Sequence, residues 1–417
     1  MAPGSFSEEG YRAMSEIQRR IVIADSDQAN IDRLVQSARD MAPRIAARAA
    51  AGEAARRISD DTIREAGEAG FYKILTPKSL GGFELDWETA CRVVVALGRG
   101  DASSAWQIGF FIIHNWLWLC FPEETRREIQ ADRGWAIGPV MLSPATVRGT
   151  KVDGGYRLRG RSKWATGINH AHWILIDGIA EGAGEDGSDC LCDFLVEPGQ
   201  VIVHDTWNSS GMRATGSHDL EYPDIFIPER RVVPYTQSAK GGGAGYADFD
   251  GWQYQVPRFA SATFGAASPI VAAAYGAIDA YRDKLLSYVS PIHGTNTINN
   301  PLAVTRLARA ETRLQAAEQY LYALARQLKE WQTAGQLTLL QRVNIRSGAA
   351  HCVAEARDVV QDLASAAGSS SFMADHPLQR VLRDVTMMAN HFLFEPDTSF
   401  EPFGRVMLGL EPNTMVA

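Results

Sequence analysis

A block of short β segments lies between two helical regions, and this order limits the possible folds more than any other feature of the chain. From about Trp135 to Pro234 the sequence consists of strand-length runs such as "HWILIDGIA" and "CLCDFLVEP", and Asp153-Gly154-Gly155 separates two alternating runs as in a hairpin. Helical periodicity dominates on both sides of the block. Because helices and strands are segregated along the chain, we expect an α+β fold that is mainly α.

The same pattern divides the chain into three predicted domains. We assign residues 1–134 to an N-terminal helical domain, residues 135–236 to a β-domain and residues 237–417 to a C-terminal helical bundle, which opens with a Gly-rich linker at 237–252. Within the bundle, apolar residues recur every seven positions along one helix, at Leu307, Leu314, Leu321 and Leu328, each followed three residues later by Ala310, Ala317, Leu324 and Trp331. A free coiled coil is one interpretation, but the small alanines and the further helical segments favour an antiparallel bundle.

Charge and cysteine content argue against several classes of protein. The net charge is −8 and no Lys/Arg cluster is dense enough to follow a phosphate backbone, so we expect no nucleic-acid partner. No run reaches the length of about eighteen apolar residues that a membrane span needs, and the N-terminus lacks the apolar core of a signal peptide. Cys190 and Cys192 form one C-x-C pair without a second pair to complete a metal site. These features favour a reduced, cytoplasmic protein without metal or membrane contact.

Three well-separated segments resemble the acyl-CoA dehydrogenase fold: "PKSLGGFELDW", "GMRATGSHDLEYPDIFIPERRVV" and "AAGSSSFMADHPLQRVLRDVTMMANH". The resemblance spans nearly the whole chain, and it implies an N-terminal helical domain, a central β-barrel domain and a C-terminal four-helix bundle. Dehydrogenases of this fold commonly carry a catalytic Glu one helix after the "LQRVLRD" pattern, where this chain reads "NHFLFEPD" with His391. Since some dehydrogenases carry their Glu on another helix, an acyl-CoA dehydrogenase-type FAD enzyme remains an alternative.

The C-terminal pattern of His391, "GRVMLGLEP" and "NTMV" is similar to the oxygenase components of two-component flavin-dependent monooxygenases, above all those of the 4-hydroxyphenylacetate 3-hydroxylase type. The resemblance implies that a separate NAD(P)H-flavin reductase supplies reduced FMN or FAD. With O2, the chain would form a C4a-hydroperoxyflavin and hydroxylate a small aromatic, phenolic substrate, as a homotetramer. The same fold also hosts N- and S-oxygenases, and a silent helical scaffold is a further alternative.

The resemblance also assigns candidate site residues. In "WATG" it places the hydroxyl of Thr166 near flavin N5, and it makes His391, with a pKa near neutrality, the base that deprotonates a phenol. His114 is the third catalytic candidate. The residues that it assigns to the cofactor are Trp164, Thr166, Gly167, Arg213, Ser217, Ser370 and Phe372, and those that it assigns to the substrate are Trp106, Phe110, His114, Phe259 and His391. Without the resemblance, Thr166 is an ordinary strand-end residue, and both histidines are ordinary hydrogen-bonded core residues.

Overall fold

A computed structural model describes residues 8–184, 186–289 and 296–414, with the backbone alone for residues 8–26 and 132. The last residues of the "NTMV" motif, 415 and 416, therefore lie outside the described residues. The helices are α1 Glu8–Ala55, α2 Asp60–Ala69, α3 Trp87–Gly98, α4 Ala102–Leu117, α5 Glu123–Gln130, α6 Tyr235–Ser238, α7 Arg258–Ser287, α8 Pro301–Ala334, α9 Leu339–Ala367, α10 Pro377–Ala389 and α11 Pro396–Met407. The strands are β1 Val140–Leu142, β2 Val147–Val152, β3 Gly155–Ala165, β4 Ile174–Glu181, β5 Cys190–Val196, β6 Ile202–His204, β7 His218–Pro228 and β8 Val232–Pro234.

Helix α4 is the central buried helix of the N-terminal region. Asp101 caps its first turn, because the side chain accepts a hydrogen bond from the backbone N–H of Ser104 at 2.8 Å. Trp106, Phe110 and His114 are spaced by four residues, so they lie on one face of the helix. Helix α4 packs against α3 and α7 and reaches the loop between β6 and β7. The fold therefore places this face between the helical core and the β-domain.

The eight strands form one sheet in the order β6-β7-β3-β2-β4-β5-β8, and β1 pairs with β4 outside this path. The predicted hairpin is confirmed, since Val152 of β2 pairs with Gly155 of β3 across the turn. The register of β3 against β7 shifts between Ser162 and Ala165. At this irregularity Trp164 adopts a left-handed φ of 64°. The chain leaves the sheet here, in the segment that the sequence singled out.

The C-terminal helices α7, α8, α9 and α10 pack into the predicted bundle. Leu314, Leu321 and Leu328 of the heptad seam on α8 are fully buried, and α8 packs against α7 and α9. The seam is therefore used inside the chain. The interpretation as a free coiled coil is wrong, because Leu314, Leu321 and Leu328 already pack within the bundle of one chain.

Helix α7 connects the bundle to the sheet. Its first residue, Arg258, is buried and forms ion pairs with Asp193 at 2.9 Å and with Asp177 at 3.2 Å, on the neighbouring strands β5 and β4. By length and apolarity α7 could also cross a membrane, but 89% of its most apolar window is buried inside the fold. Removing one partner from such a buried network would leave a buried charge unpaired, which is strongly destabilising. These contacts therefore fix the β-domain against α7.

Candidate active site

The "WATG" turn at the end of β3 begins a chain of hydroxyl groups. The Thr166 Oγ1 atom lies 2.9 Å from Ser217 Oγ, and Ser217 Oγ lies 2.8 Å from Thr215 Oγ1. Thr215 in turn donates to the carbonyl of Met212 at 2.9 Å. Ser217 and Thr215 are buried, whereas Thr166 is half-buried. The structure thus brings Thr166 and Ser217 together, and it adds Thr215, which the sequence did not single out.

A cluster of aromatic rings is built around one largely buried face of α4. The ring centroids of Trp106 and Phe110 are 4.8 Å apart, and the ring of His391 lies 5.5 Å from Trp106 and 6.3 Å from Phe110. Phe110 also lies 5.5 Å from His114. Phe259 of α7 reaches the same cluster through Phe392, at 6.4 Å. The five residues that the sequence assigned to the substrate therefore belong to one ring cluster.

Phe392 and Phe394 complete the cluster and were missed by the sequence reasoning. Their rings lie 4.7 Å and 6.2 Å from that of His391. The "NHFLFEP" segment contained the signal, because both phenylalanines follow the histidine closely there. A flat aromatic ligand packs well against edges and faces of this kind, since such ring pairs add stabilisation beyond the area they bury.

The ring orientation of His114 is fixed by the backbone before β1. Its Nδ1 lies 2.7 Å from the carbonyl oxygen of Gly138, so in the neutral ring Nδ1 carries the proton and Nε2 has a free lone pair. Asn115 holds the same segment, because its amide exchanges hydrogen bonds with both the N–H and the C=O of Ala136. Burial lowers the pKa of His114 to about 3. The imidazole is therefore neutral at physiological pH.

In the neutral ring of His391 the proton lies on the other nitrogen. It precedes a short 3-10 turn, and its Nδ1 accepts the backbone N–H of Leu393 at 3.4 Å, which leaves the proton on Nε2 in the neutral ring. Burial among the aromatic rings lowers the pKa of His391 to about 4. The expectation of a pKa near neutrality is wrong for this reason. The described residues around the Nε2 atoms of His114 and His391 offer neither atom a hydrogen-bond partner, so the first is available as an acceptor and the second as a donor.

Of the other predicted cofactor residues, Arg213 lies in the same loop as Thr215, whereas Ser370 and Phe372 lie before α10. Arg213 donates to the carbonyl of Ser209 at 3.0 Å, within its own loop. Ser370 accepts a hydrogen bond from Lys284 at 2.8 Å, and Phe372 beside it is exposed. These two residues precede α10, whereas His391 follows it, and a helix of 13 residues is about 20 Å long. Ser370 and Phe372 therefore lie at the opposite end of α10 from His391.

Features of the turn fit a flat polar ring such as a flavin. The Trp164 side chain is 68% exposed, which is unusual for an indole. Behind the turn, the carboxamide of Gln107 is fully buried, and neither its nitrogen nor its oxygen has a hydrogen-bond partner among the described residues. A Cβ atom on Gly167, whose φ is 79°, would lie 2.9 Å from that nitrogen. A flavin on this turn would cover the indole, and Trp164, Thr166 and Ser217 would hold it.

Metal ligands are not clustered in the part of the chain that the structure describes. Within those residues, no group of three or more His, Cys, Asp or Glu side chains could hold an ion. The Sγ atoms of Cys190 and Cys192 lie 3.9 Å apart, as free thiols. The chemistry that the candidate site residues offer is thus that of hydroxyl groups, neutral imidazoles and aromatic rings.

Comparisons with known proteins agree with this geometry. The acyl-CoA dehydrogenase N-terminal domain matches residues 29–126, and the C-terminal domain of the same family matches residues 264–396. A pigment production hydroxylase of Rhodococcus sp. is 30% identical over 370 residues, which cover 89% of this chain and 95% of that protein. The flavin-dependent monooxygenase oxygenase subunit HsaA of Mycobacterium tuberculosis is 28% identical and covers 97% of this chain and 100% of its own length.

A solved structure extends the comparison to a flavin complex. XiaF from Streptomyces sp., in complex with FADH2 and glycerol, superposes with a TM-score of 0.84 at 26% identity, over 95% of this chain and 99% of that chain. The predicted fold is confirmed by these matches, as is the dependence on reduced flavin. The chain belongs to the flavin-dependent monooxygenases, as an oxygenase component built on the acyl-CoA dehydrogenase fold.

Proposed function

We propose that the protein hydroxylates a small phenolic substrate, with O2 and with reduced FMN or FAD that a separate NAD(P)H-flavin reductase supplies. One observation carries the proposal: a free imidazole acceptor, His114, and a free imidazole donor, His391, belong to one cluster of aromatic rings. A phenolic OH is both a donor and an acceptor, so it can satisfy the two imidazoles. The reduced flavin, when bound, supplies the electrons that activate O2.

The two histidines take different roles in this proposal. His114 Nε2 accepts the hydrogen bond of the phenolic OH, and the Nε2–H group of His391 donates to an oxygen of the substrate. This arrangement assigns the acceptor role to His114 instead of His391, because His391 would first need to change tautomer and give up its contact with Leu393. Since the low pKa of His114 disfavours an imidazolium, the substrate binds as a neutral phenol, and its proton moves only as the ring is oxidised.

Thr166 and the aromatic residues position the reactants. The Thr166 hydroxyl lies at the edge of the turn that would hold the flavin, and Trp106 and Phe110 orient the substrate ring by edge-to-face packing. Burial of His114 and of the hydroxyl chain keeps water from this side of the pocket. A dry pocket favours oxygen transfer over the release of H2O2, because water assists the proton transfers that release it.

An assay with purified components tests the proposal. The protein is mixed with a flavin reductase, NADH, O2 and a panel of phenols, and both the hydroxylated products and H2O2 are quantified. We expect at least one phenol to give a catechol- or hydroquinone-type product in amounts that follow O2 consumption. If every phenol gives H2O2 alone, the proposal is wrong.

The alternatives predict other outcomes in the same experiment. An acyl-CoA dehydrogenase would reduce an artificial electron acceptor with acyl-CoA and would need no reductase. An N- or S-oxygenase would oxidise an amine or a thiophene while leaving the phenols intact. The two histidines favour a phenol, because a thiophene sulfur offers no hydrogen to the lone pair of His114.

We further propose that the chain forms a homotetramer in the cytoplasm. Large apolar side chains near the start of α8 and at the end of α11 are strongly exposed in the single chain: Leu302 at 75%, Met407 at 66% and Leu408 at 78%. Exposed apolar patches of this kind support contacts between copies. Light scattering after size-exclusion chromatography tests the number of copies, and a monomer at micromolar concentration would refute this part.

A further inference from the structure

A groove between α1, α3 and α8 contains none of the candidate active-site residues. Its volume is about 530 Å³, and small-molecule sites in proteins have roughly 300–1,000 Å³. Val95 and Ala96 of α3 and Tyr322 of α8 are buried along it and form its apolar wall. Apolar walls with a few polar groups are typical of sites that bind small organic ligands. The groove therefore has the size and the lining of a ligand site.

Three arginines line the same groove and carry its positive charge: Arg39 of α1, Arg92 of α3 and Arg99, which ends α3. Their side chains are exposed, and Glu318 of α8 is the one acidic residue among the described residues of the lining, which thus carries a net charge of +2. Arg92 and Arg99 are seven residues apart, so they lie on one face about 10 Å apart, with the apolar wall between them. Like charges in one groove repel one another, and a bound anion would offset that repulsion.

Two tyrosines hold the carboxylate of Glu318. The hydroxyl of Tyr275 donates to its Oε2 atom at 2.7 Å, and the hydroxyl of Tyr322 donates to its Oε1 atom at 3.0 Å. The guanidinium group of Arg99 lies over the ring of Tyr275, 3.9 Å from the ring centroid. Its distance to Glu318 Oε2 is also 3.9 Å, which is beyond hydrogen-bond distance. Arg99 therefore keeps N–H donors for a ligand, while the contact with the tyrosine ring holds its guanidinium plane in place.

The other two arginines also have N–H donors available. Arg92 lies over the ring of Tyr322, 5.5 Å from the ring centroid. Its ion-pair partner Glu88 also pairs with Arg326 at 2.8 Å, so one carboxylate serves two arginines. Arg39 has no hydrogen-bond or ion-pair partner among the residues that the structure describes. Because a guanidinium group presents five N–H donors in a plane that matches carboxylate and phosphate groups, the three arginines are suited to bind such an anion.

We propose that this groove is a second ligand site, which binds an organic anion that carries a carboxylate or a phosphate group on an apolar body. The anionic group forms charge-assisted hydrogen bonds with the arginines, and the apolar body covers Val95 and Ala96. The groove is separate from the candidate active site, so the proposal stands independently of the proposed function.

Isothermal titration calorimetry on the whole chain, without flavin and without turnover, tests this proposal. The probes are phenyl phosphate, benzoate and the neutral benzyl alcohol, and the variants are Arg39→Gln and Arg99→Gln. We expect at least one of the two anions to bind the wild type about tenfold more tightly than benzyl alcohol does, and the comparison of the two shows which anionic group the groove prefers. Each substitution should weaken the binding of that anion about tenfold, which is ~1.4 kcal/mol. Added NaCl should weaken it as well, because the arginines are exposed and salt screens their charge.

Arg127→Gln is the matched control, because Arg127 is an exposed arginine that pairs with Glu123 on α5 and does not line the groove. It should leave the affinity for the anion unchanged. Thermal unfolding of each variant shows whether it is folded, and the two groove variants provide independent tests. The proposal is overturned if neither anion binds the wild type more tightly than benzyl alcohol does, or if both groove variants bind the anion as tightly as the wild type does.

Discussion

Replacing Thr166 with Val removes one hydroxyl and little else, so it measures what that hydroxyl contributes. Ser217 keeps its hydrogen bond with Thr215 in the variant. The protein itself should lose the one hydrogen bond between Thr166 and Ser217, about 1 kcal/mol of unfolding free energy. At the flavin, loss of a contact of ~1.4 kcal/mol would change the partition of O2 between product and H2O2 about tenfold.

The assay quantifies the product and H2O2 formed per O2 consumed, with the reductase and a phenol that the wild type accepts. We expect Thr166→Val to release mainly H2O2, while Thr166→Ser, which keeps the hydroxyl, should remain close to the wild type. Both variants should consume O2, because flavin oxidation does not need the hydroxyl. Equal coupling in Thr166→Val and the wild type would refute the assigned role of Thr166.

Three other features of the site give measurable expectations. Burial raises the pKa of Asp384 to about 7. Between about pH 4 and 7 the carboxyl is therefore protonated in the folded protein and ionised in the unfolded chain, so folding takes up a proton. Asp384→Asn keeps an oxygen that accepts the Met212 N–H but needs no proton. Relative to the wild type, its free energy of unfolding should therefore rise across that pH window, by up to about 4 kcal/mol, and the difference should stay constant above it. Denaturant unfolding measures this difference, and a difference that does not depend on pH would contradict the assignment. Gln107→Met removes a buried carboxamide without a hydrogen-bond partner among the described residues, so it should raise the free energy of unfolding of the ligand-free protein by about 1–3 kcal/mol, measured in urea. Gln253→Met is the control, because it loses the hydrogen bond to the carbonyl of Glu84 and should lower that free energy. Near pH 7, a phenol bound beside His114 should absorb as the neutral species; a phenolate spectrum would overturn the assignment.

The sequence predicted features that depend on local chemistry. A Ser before a helical run and a Gly after it are local signals of this kind, and Ser59 and Gly70 occupy these positions at the ends of α2. The hairpin at Gly154 and the packing of the leucine seam within a bundle were equally predictable, because turn residues and apolar spacing specify them directly.

Properties that depend on distant parts of the chain could not be predicted in this way. The pKa of His391 is lowered because rings from α4 surround it, and no local pattern contains that burial. The tautomer of His114 depends on the carbonyl of Gly138, 24 residues away. The hydroxyl chain ends at the carbonyl of Met212, which joins the site through the loop before β7. Residue types were thus predictable at the site, whereas proton positions required the three-dimensional contacts.

The central claim is that oxygen from O2 enters an aromatic substrate at this pocket. Its most direct test is a turnover under 18O2 with reduced flavin and an accepted phenol, followed by mass spectrometry of the product. We predict one 18O atom in each molecule of hydroxylated product and none from labelled water. Product without the label, or H2O2 as the sole fate of O2 with every phenol, would contradict the account.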